Sequence, residues 1–143
     1  MAYQAKRKTI YEEEFQLTEA DGTVVHTLHV SLDADSMVKK LSEKQLDLIH
    51  ALNAVKDAKA DENGLEILGN AVISMLEAVF GVEDAKVILE FYDNRYIELC
   101  NEVVPFIMDV VVPEVRKIAK QNKKATLSQY NRKQRRTLQF RKK

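Results

Sequence analysis

Alternating polar and apolar residues predict a β-hairpin over residues 9–30. Every second position from Tyr11 to Leu17 falls on one face, which is the repeat of a β-strand. The pair Asp21 and Gly22 then supplies a turn. Because an isolated hairpin is marginal in water, we expect it to pack on helices or to gain a strand from a partner. One face of the second strand carries Val24, His26, Leu28 and Val30.

A helical repeat begins after the hairpin. Asp33 or Asp35 is suited to cap a helix, because a carboxylate accepts hydrogen bonds from the free amides of the first turn. Ser42 and Gln45 have the form of a capping box, which would mark a second start. Two alternatives stay open: one helix to about Ala60, or two helices with a break near Ser42. Apolar residues at helical spacing here are Met37, Val38, Leu41, Leu46, Ile49, Leu52 and, less exactly, Val55.

Another amphipathic helix follows a connection at residues 57–64. Gly81 stands where a helix C-cap is wanted, because glycine adopts the left-handed conformation of that position without strain. The apolar positions of this helix are Leu65, Leu68, Val72, Met75, Leu76 and Val79.

The remaining helices are predicted from first-turn acids and from prolines. Glu83 and Asp84 favour a helix start, because acidic groups stabilise the amino end of the helix dipole. Residues 94–121 are interpreted as one further helix, or as two joined at a kink, because Pro105 and Pro113 each remove an amide donor. The apolar side of the helix that starts at Glu83 carries Ala85, Ile88, Leu89 and Tyr92.

Composition favours few, long elements. The chain has 143 residues, of which 45% are hydrophobic, with only four Gly and two Pro. We therefore expect a mainly α-helical α+β domain over residues 1–120, with the hairpin at 9–30 and about four helices at 34–120. Residues 121–143, called here the basic tail, are interpreted as mobile, either disordered or weakly helical when free.

Charge is sorted along the chain, although the formal net charge is zero. All 22 acidic residues lie between Glu12 and Glu114, while ten of the 22 Lys and Arg precede Glu114 and twelve follow it. The net charge is therefore −12 for residues 1–115 and +12 for residues 116–143. A block of like charge typically meets an acidic partner, which could be nucleic acid, another protein or the acidic body of this protein.

Signals for catalysis are weak. His26 and His29 fall on opposite faces of a strand and cannot share a metal there, and Asp33 with Asp35 is more simply a helix cap. Phosphate loops, nucleophile elbows and zinc-protease motifs are missing from the sequence. Cys100 is interpreted as an inert buried thiol. We expect no enzymatic activity, no catalytic residue, no metal and no cofactor.

The basic tail is a candidate for electrostatic binding. Its cluster could neutralise phosphates, and Tyr130 and Phe140 could stack on bases. The acidic body opposes nucleic-acid binding, so a small nucleic-acid-binding protein is the alternative rather than the favoured function. The chosen electrostatic residues are Arg132, Lys133, Arg135 and Arg136.

An aromatic group at helical spacings is the candidate for partner contact. Most aromatics of this region are expected in the core, but some could remain as a groove for a partner helix. The residues chosen for partner binding are Phe91, Tyr92, Tyr96 and Phe106.

A pattern of apolar and turn residues between positions 80 and 113 resembles a known family. The residues that carry the pattern are Phe80, Gly81, Ala85, Ile88, Phe91, Tyr92, Tyr96, Pro105, Ile107, Val111 and Pro113. The pattern is similar to that of tail assembly chaperones of siphophages and prophages of Gram-positive bacteria. The resemblance extends over about residues 10–120 and rests on packing positions, whereas the basic tail matches no motif of the family.

The resemblance implies a function. Such chaperones coat the long, hydrophobic, helical tape measure protein while the tail tube forms, and they are displaced as tube protein polymerises. The implied partner is the tape measure protein, with the tail tube protein and further copies of the chain as additional partners, and with no membrane. The implied location is the cytoplasm of the infected or lysogenic host, outside the mature virion. The N-terminal residues lack the apolar segment of a secretory signal, as this location requires.

Overall fold

The computed structural model describes residues 2–5, 10–56 and 62–141, and the side chains of residues 62, 63 and 132–141 are outside this description. It confirms a mainly helical α+β fold that begins with an antiparallel hairpin. The elements are β1 (Tyr11–Thr18), β2 (Val24–Leu32), α1 (Ala34–Lys56), α2 (Glu62–Phe80), α3 (Val82–Phe91), α4 (Tyr96–Glu102), α5 (Val104–Phe106), a π-helical segment (Ile107–Val111) and α6 (Val112–Arg141).

The hairpin has the predicted faces as far as Leu17 and His26, but the prediction that Val24 shares the face of His26 was wrong. Tyr11 pairs with Leu32, and the register is kept as far as Leu17, where an irregularity shifts the pairing before the turn. Gly22 has φ +91°, which the turn requires and glycine tolerates. The shift pairs Val24 with Thr18, so Val24 leaves the face of His26, Leu28 and Val30, and it is 46% exposed. The buried apolar residues of the hairpin are Tyr11, Leu17, Leu28, Val30 and Leu32.

Helix α1 is one uninterrupted helix, which settles the alternative that the sequence left open. The amide of Met37 donates to the carbonyl of Asp33 (3.1 Å), so Asp33 stands at the cap. The capping box at Ser42 and Gln45 was wrong, because both residues lie inside the helix. Their side-chain oxygens instead accept hydrogen bonds from Arg116 of α6, at 3.5 and 3.1 Å.

The buried face of α1 agrees only in part with the spacing: Met37, Val38, Leu41 and Val55 pack in or against the core, whereas the middle of the helix differs. Leu41, Leu48 and Ala51 are buried, with at most 2% of each exposed. Among the apolar residues that recurred at helical spacing, several remain in solvent. Those exposed on α1 are Leu46, Ile49 and Leu52.

Helix α2 is the centre of the core. It packs against α1, α3, α4 and β2. Gly81 ends this helix as predicted: its amide donates to the carbonyl of Glu77 (3.0 Å), and its own carbonyl accepts from the amide of Ala85 (3.0 Å). With φ +86°, Gly81 therefore joins α2 directly to α3. The buried residues of the predicted α2 face are Leu68, Val72, Met75, Leu76 and Val79, whereas Leu65 is exposed.

The region of the two prolines is a broken helix, which agrees with the predicted kink. Helix α4 ends at Glu102, and Pro105 lies in the first turn of the short α5. A π-helical segment then buries Ile107 and Val111 before Pro113 enters the first turn of α6. Pro113 is tolerated there because the first amides of a helix have no partner within it.

Helix α6 continues through most of the basic tail. It runs without a break from Val112 to Arg141. Of the two alternatives for the basic tail, disordered or helical, the backbone of residues 121–141 is therefore helical. Mobility of the basic tail stays a prediction.

Among the described helices, none combines the length and apolar character needed to cross a bilayer.

The hydroxyl group of Tyr11 generates a stability prediction. This oxygen is buried, and none of the described residues supplies it with a hydrogen-bond partner. Burial, and then the charges of Glu13 and Glu114, raise the pKa of Tyr11 above its ordinary value of 10.0. A raised pKa means that the neutral form stabilises the fold below pH 10 and that this contribution is lost as pH rises through the folded-state pKa.

We expect Tyr11→Phe to increase the free energy of unfolding by about 1 kcal/mol at neutral pH, because it removes an unpaired buried hydroxyl. The advantage should grow above pH 10, where phenylalanine cannot ionise. Urea denaturation at pH 7 and pH 10.5 measures both effects. Tyr3→Phe is the matched control, because Tyr3 is 96% exposed. A lower stability of the Tyr11 variant at pH 7 would show that the hydroxyl is paired.

A candidate protein-binding cleft

A cleft of about 600 Å³ opens between the hairpin turn and the corner that joins α3 to α4. The chain is positioned there by a tight reversal after α3, in which Asp93 (φ 50°) and Asn94 (φ 58°) adopt the left-handed conformation. The amide of Asn94 donates to the carbonyl of Leu89 at 2.9 Å, which closes the end of α3. The cleft is lined by Thr18, Glu19, Ala20, Phe91, Tyr92, Asp93, Arg95, Glu98 and Glu102.

Two of the four predicted partner-binding residues lie together in this cleft. Phe91 and Tyr92 are half-buried, and their rings meet edge to face with centroids 5.0 Å apart. Phe91 also meets His26 of β2 edge-on at 6.4 Å. The aromatic wall is therefore held by both the hairpin and α3, and it offers apolar surface to a bound side chain.

Carboxylates surround the aromatic wall. Burial, and then the charges of Glu102 and Glu98, raise the pKa of Tyr92 above its ordinary 10.0. Arg95 lies 3.6 Å from Glu98 in an exposed ion pair, which contributes little energy but partly offsets the acidic charge. An aromatic surface rimmed by acids suits apolar and basic side chains of a protein partner.

Tyr96 lies outside the cleft and packs on α2. A methyl group placed on Gly69 would lie only 2.6 Å from Cε2 and 2.8 Å from Cζ of the Tyr96 ring. This close approach shows that Gly69 makes room for the tyrosine and joins α4 to α2. The pattern of the sequence contained a signal for it, since a glycine inside an otherwise apolar helix often has a packing reason.

Phe106 also lies apart from the cleft, in a cluster of core aromatics. Its ring centroid lies 4.7 Å from that of Phe15 and 6.2 Å from that of Phe80. The predicted aromatic group is therefore divided between a cleft, a helix contact and the core. A role in partner binding for these residues stays a prediction, and the geometry favours Phe91 and Tyr92 for it.

The predicted electrostatic residues occupy the last turns of α6. The helix backbone includes Arg132, Lys133, Arg135 and Arg136, but their side chains fall outside the described part of the structure. The lysines nearer the body are described, and Lys117, Lys120, Lys123 and Lys124 are exposed. Electrostatic binding by the basic tail stays a prediction.

Groups that could support catalysis are sparse in the described residues. His29 lies 3.9 Å from Glu14 across the hairpin, on its exposed face. Within the part of the chain that the structure describes, no cluster of three or more His, Cys, Asp or Glu residues is placed to hold a metal. Cys100 is half-buried, and burial raises the pKa of its thiol above the ordinary 9.0, which lowers its reactivity.

Sequence reasoning missed the acidic rim of the cleft. Glu19 follows the first strand, whereas Glu98 and Glu102 belong to α4, and only the folded hairpin brings them to one opening. The four-residue spacing of Glu98 and Glu102 places them on one helix face, but spacing alone does not show what that face meets.

Comparisons with known proteins give no match: no protein-family model, no curated protein and no solved structure is significantly similar to this chain.

The contact of Gly69 with Tyr96 can be tested by a double-mutant cycle. We expect Gly69→Ala to lower the free energy of unfolding by about 1–2 kcal/mol, because overpacking against the ring outweighs the gain in helix propensity. In a Tyr96→Ala background the same change should raise it by up to about 1 kcal/mol, since the ring is gone and alanine favours the helix. Thermal denaturation of the four proteins measures the coupling. Equal effects of Gly69→Ala in both backgrounds would exclude the contact.

Proposed function

We propose that this protein is a phage tail assembly chaperone, which binds the tape measure protein and keeps it soluble while the tail tube assembles. The structural observation that supports the proposal is the cleft between the hairpin turn and the α3–α4 corner, where half-buried Phe91 and Tyr92 face solvent within a ring of carboxylates. The identity of the client rests on the resemblance of residues 80–113 to chaperones of this class.

The cleft suits a helical client in particular. Helices that pack through an apolar stripe present large side chains every three to four residues, and one such side chain fits a cleft of about 600 Å³. Carboxylates at the rim attract basic residues beside that stripe and repel acidic segments. Repeated weak binding along a long helix would cover its apolar surface yet permit displacement by tube protein. The proposed role requires no catalytic step and is carried out in the host cytoplasm.

The test is co-expression with a tagged tape measure protein. We expect wild-type chain to keep the client soluble, in a complex with many copies per client as measured by size-exclusion chromatography with light scattering. Tyr92→Ala should weaken binding about tenfold, because it removes the aromatic wall of the cleft. Ile97→Ala is the matched control, since Ile97 is exposed on α4 but does not line the cleft.

A second variant distinguishes loss of client binding from loss of folding. The double change Glu98→Gln and Glu102→Gln keeps the size of both side chains and removes only charge. It should weaken binding and reduce its dependence on salt, because the electrostatic part of the contact is gone. The proposal would be contradicted if the client stayed insoluble with the wild-type chain, or if the cleft variants bound the client as tightly as the wild type does.

Nucleic-acid binding is the alternative, and one observation favours it. Beyond Glu114 the chain has no acidic residue, and α6 exposes a row of lysines to solvent. In the same purification, nucleic acid that accompanies an unbound chain and is removed by salt would move the assignment to this alternative.

A further inference from the structure

Helices α1 and α6 form an antiparallel pair. Arg116 near the start of α6 donates to Ser42 and Gln45 of α1, at 3.5 and 3.1 Å, whereas Asn122 further along α6 donates to Asp35 at 3.5 Å, near the start of α1. On α1 the contact residues Asp35, Ser42 and Gln45 follow one another at intervals of seven and three, which places them on one face of the helix.

The same face of α1 continues beyond the contact. Ile49 lies four residues after Gln45 and Leu52 three residues after Ile49, so both lie on this face. Ile49 is 43% exposed, Leu52 is 41% exposed, and the neighbouring Leu46 is 57% exposed. Helix α6 begins one turn before Arg116, and neither α6 nor the helical segments that precede it cover these three residues. We call Leu46, Ile49 and Leu52 the α1 stripe.

The contact face of α6 also continues, at the opposite end. Asn122 reaches the first turn of α1, and α6 extends for a further 19 residues, which is roughly 28 Å of helix. We call residues 123–141 the α6 arm. Leu127 and Tyr130 of the arm lie on the same side of α6 as Arg116 and Ala119. Leu127 is 50% exposed and Tyr130 is 63% exposed.

The two uncovered surfaces are complementary in chemistry. The α1 stripe is apolar, and the described arm offers an apolar leucine and tyrosine on the matching face. By sequence the arm carries seven Lys and Arg and no acid, whereas residues 1–115 have a net charge of −12. Helix α1 itself carries three acidic residues and four lysines, so the attraction comes from the acidic body as a whole and not from the helix that bears the stripe.

We propose that the α6 arm of one copy lies along the α1 stripe of a second copy, extending across two chains the helix contact that each chain makes within itself. The arm leaves the body beyond the first residue of α1, whereas the stripe lies toward the other end of that helix. The arm of a chain therefore does not cover the stripe of the same chain. Because two different surfaces meet, the contact is heterologous and each copy keeps one free arm and one free stripe, so the association can repeat. This inference does not depend on the proposed function.

The experiment uses the full chain without client. We expect sedimentation velocity of the wild type to show a mass that rises with protein concentration and falls with added salt. Ile49→Glu and Tyr130→Glu should each raise the dissociation constant at least about tenfold, because each buries a charge at the contact. The controls are Ile97→Glu, an exposed apolar position away from both surfaces, and Ser128→Glu, which adds the same charge to the opposite face of the arm.

A mixture of the two disruptive variants identifies the geometry. Ile49→Glu keeps a working arm and Tyr130→Glu keeps a working stripe, so the mixture should form dimers that cannot grow further, although each variant alone is monomeric. A wild type that stays monomeric at all concentrations, association that survives both variants, or a mixture that stays monomeric would overturn the proposal. Since client is absent, these results leave the proposed function to its own test.

Discussion

Burial of the apolar face of α2 is the interaction on which the rest of the fold depends. Val72, Met75 and Leu76 have no measurable exposure, and the hairpin, α1, α3 and α4 all pack against this helix. A two-stranded sheet cannot bury its inner face by itself, so the inner face of the hairpin is buried only where α2 and its neighbours cover it. Leu17 is the last buried residue of the first strand, and the cleft opens directly after it, at Thr18 and the turn.

The sequence predicted those features that local chemistry determines. Alternation located the hairpin, because the period of two is a property of the strand itself. Gly81 marked the junction of α2 and α3, because the left-handed conformation required there favours glycine. Both prolines lie at helix starts in the broken region. In each of these cases the local structure is determined by the residue itself and its immediate neighbours in the sequence.

Features that arise between elements could not be predicted in the same way. Ser42 and Gln45 have the residue types of a helix start, yet their oxygens accept hydrogen bonds from Arg116, which is more than 70 positions away. Periodicity likewise placed Ile49 and Leu52 on an apolar face without showing whether another helix covers it. The aromatic group was divided for the same reason, since Phe91 and Phe106 differ in what folds against them and not in their spacing.

The π-helical segment Ile107–Val111 has a consequence for how chain length is tolerated. A π turn holds one residue more than an α turn, and each residue of an α-helix rotates the chain by about 100°. The wider turn absorbs one residue for which a regular helix has no room, so the helix on either side keeps its angular phase. Loss of a single residue within this segment would restore a regular helix and leave Arg116 and Asn122 facing Ser42 and Asp35. The same deletion in the middle of α1 or α6 would be far more disruptive, because it would rotate everything that follows by about 100°.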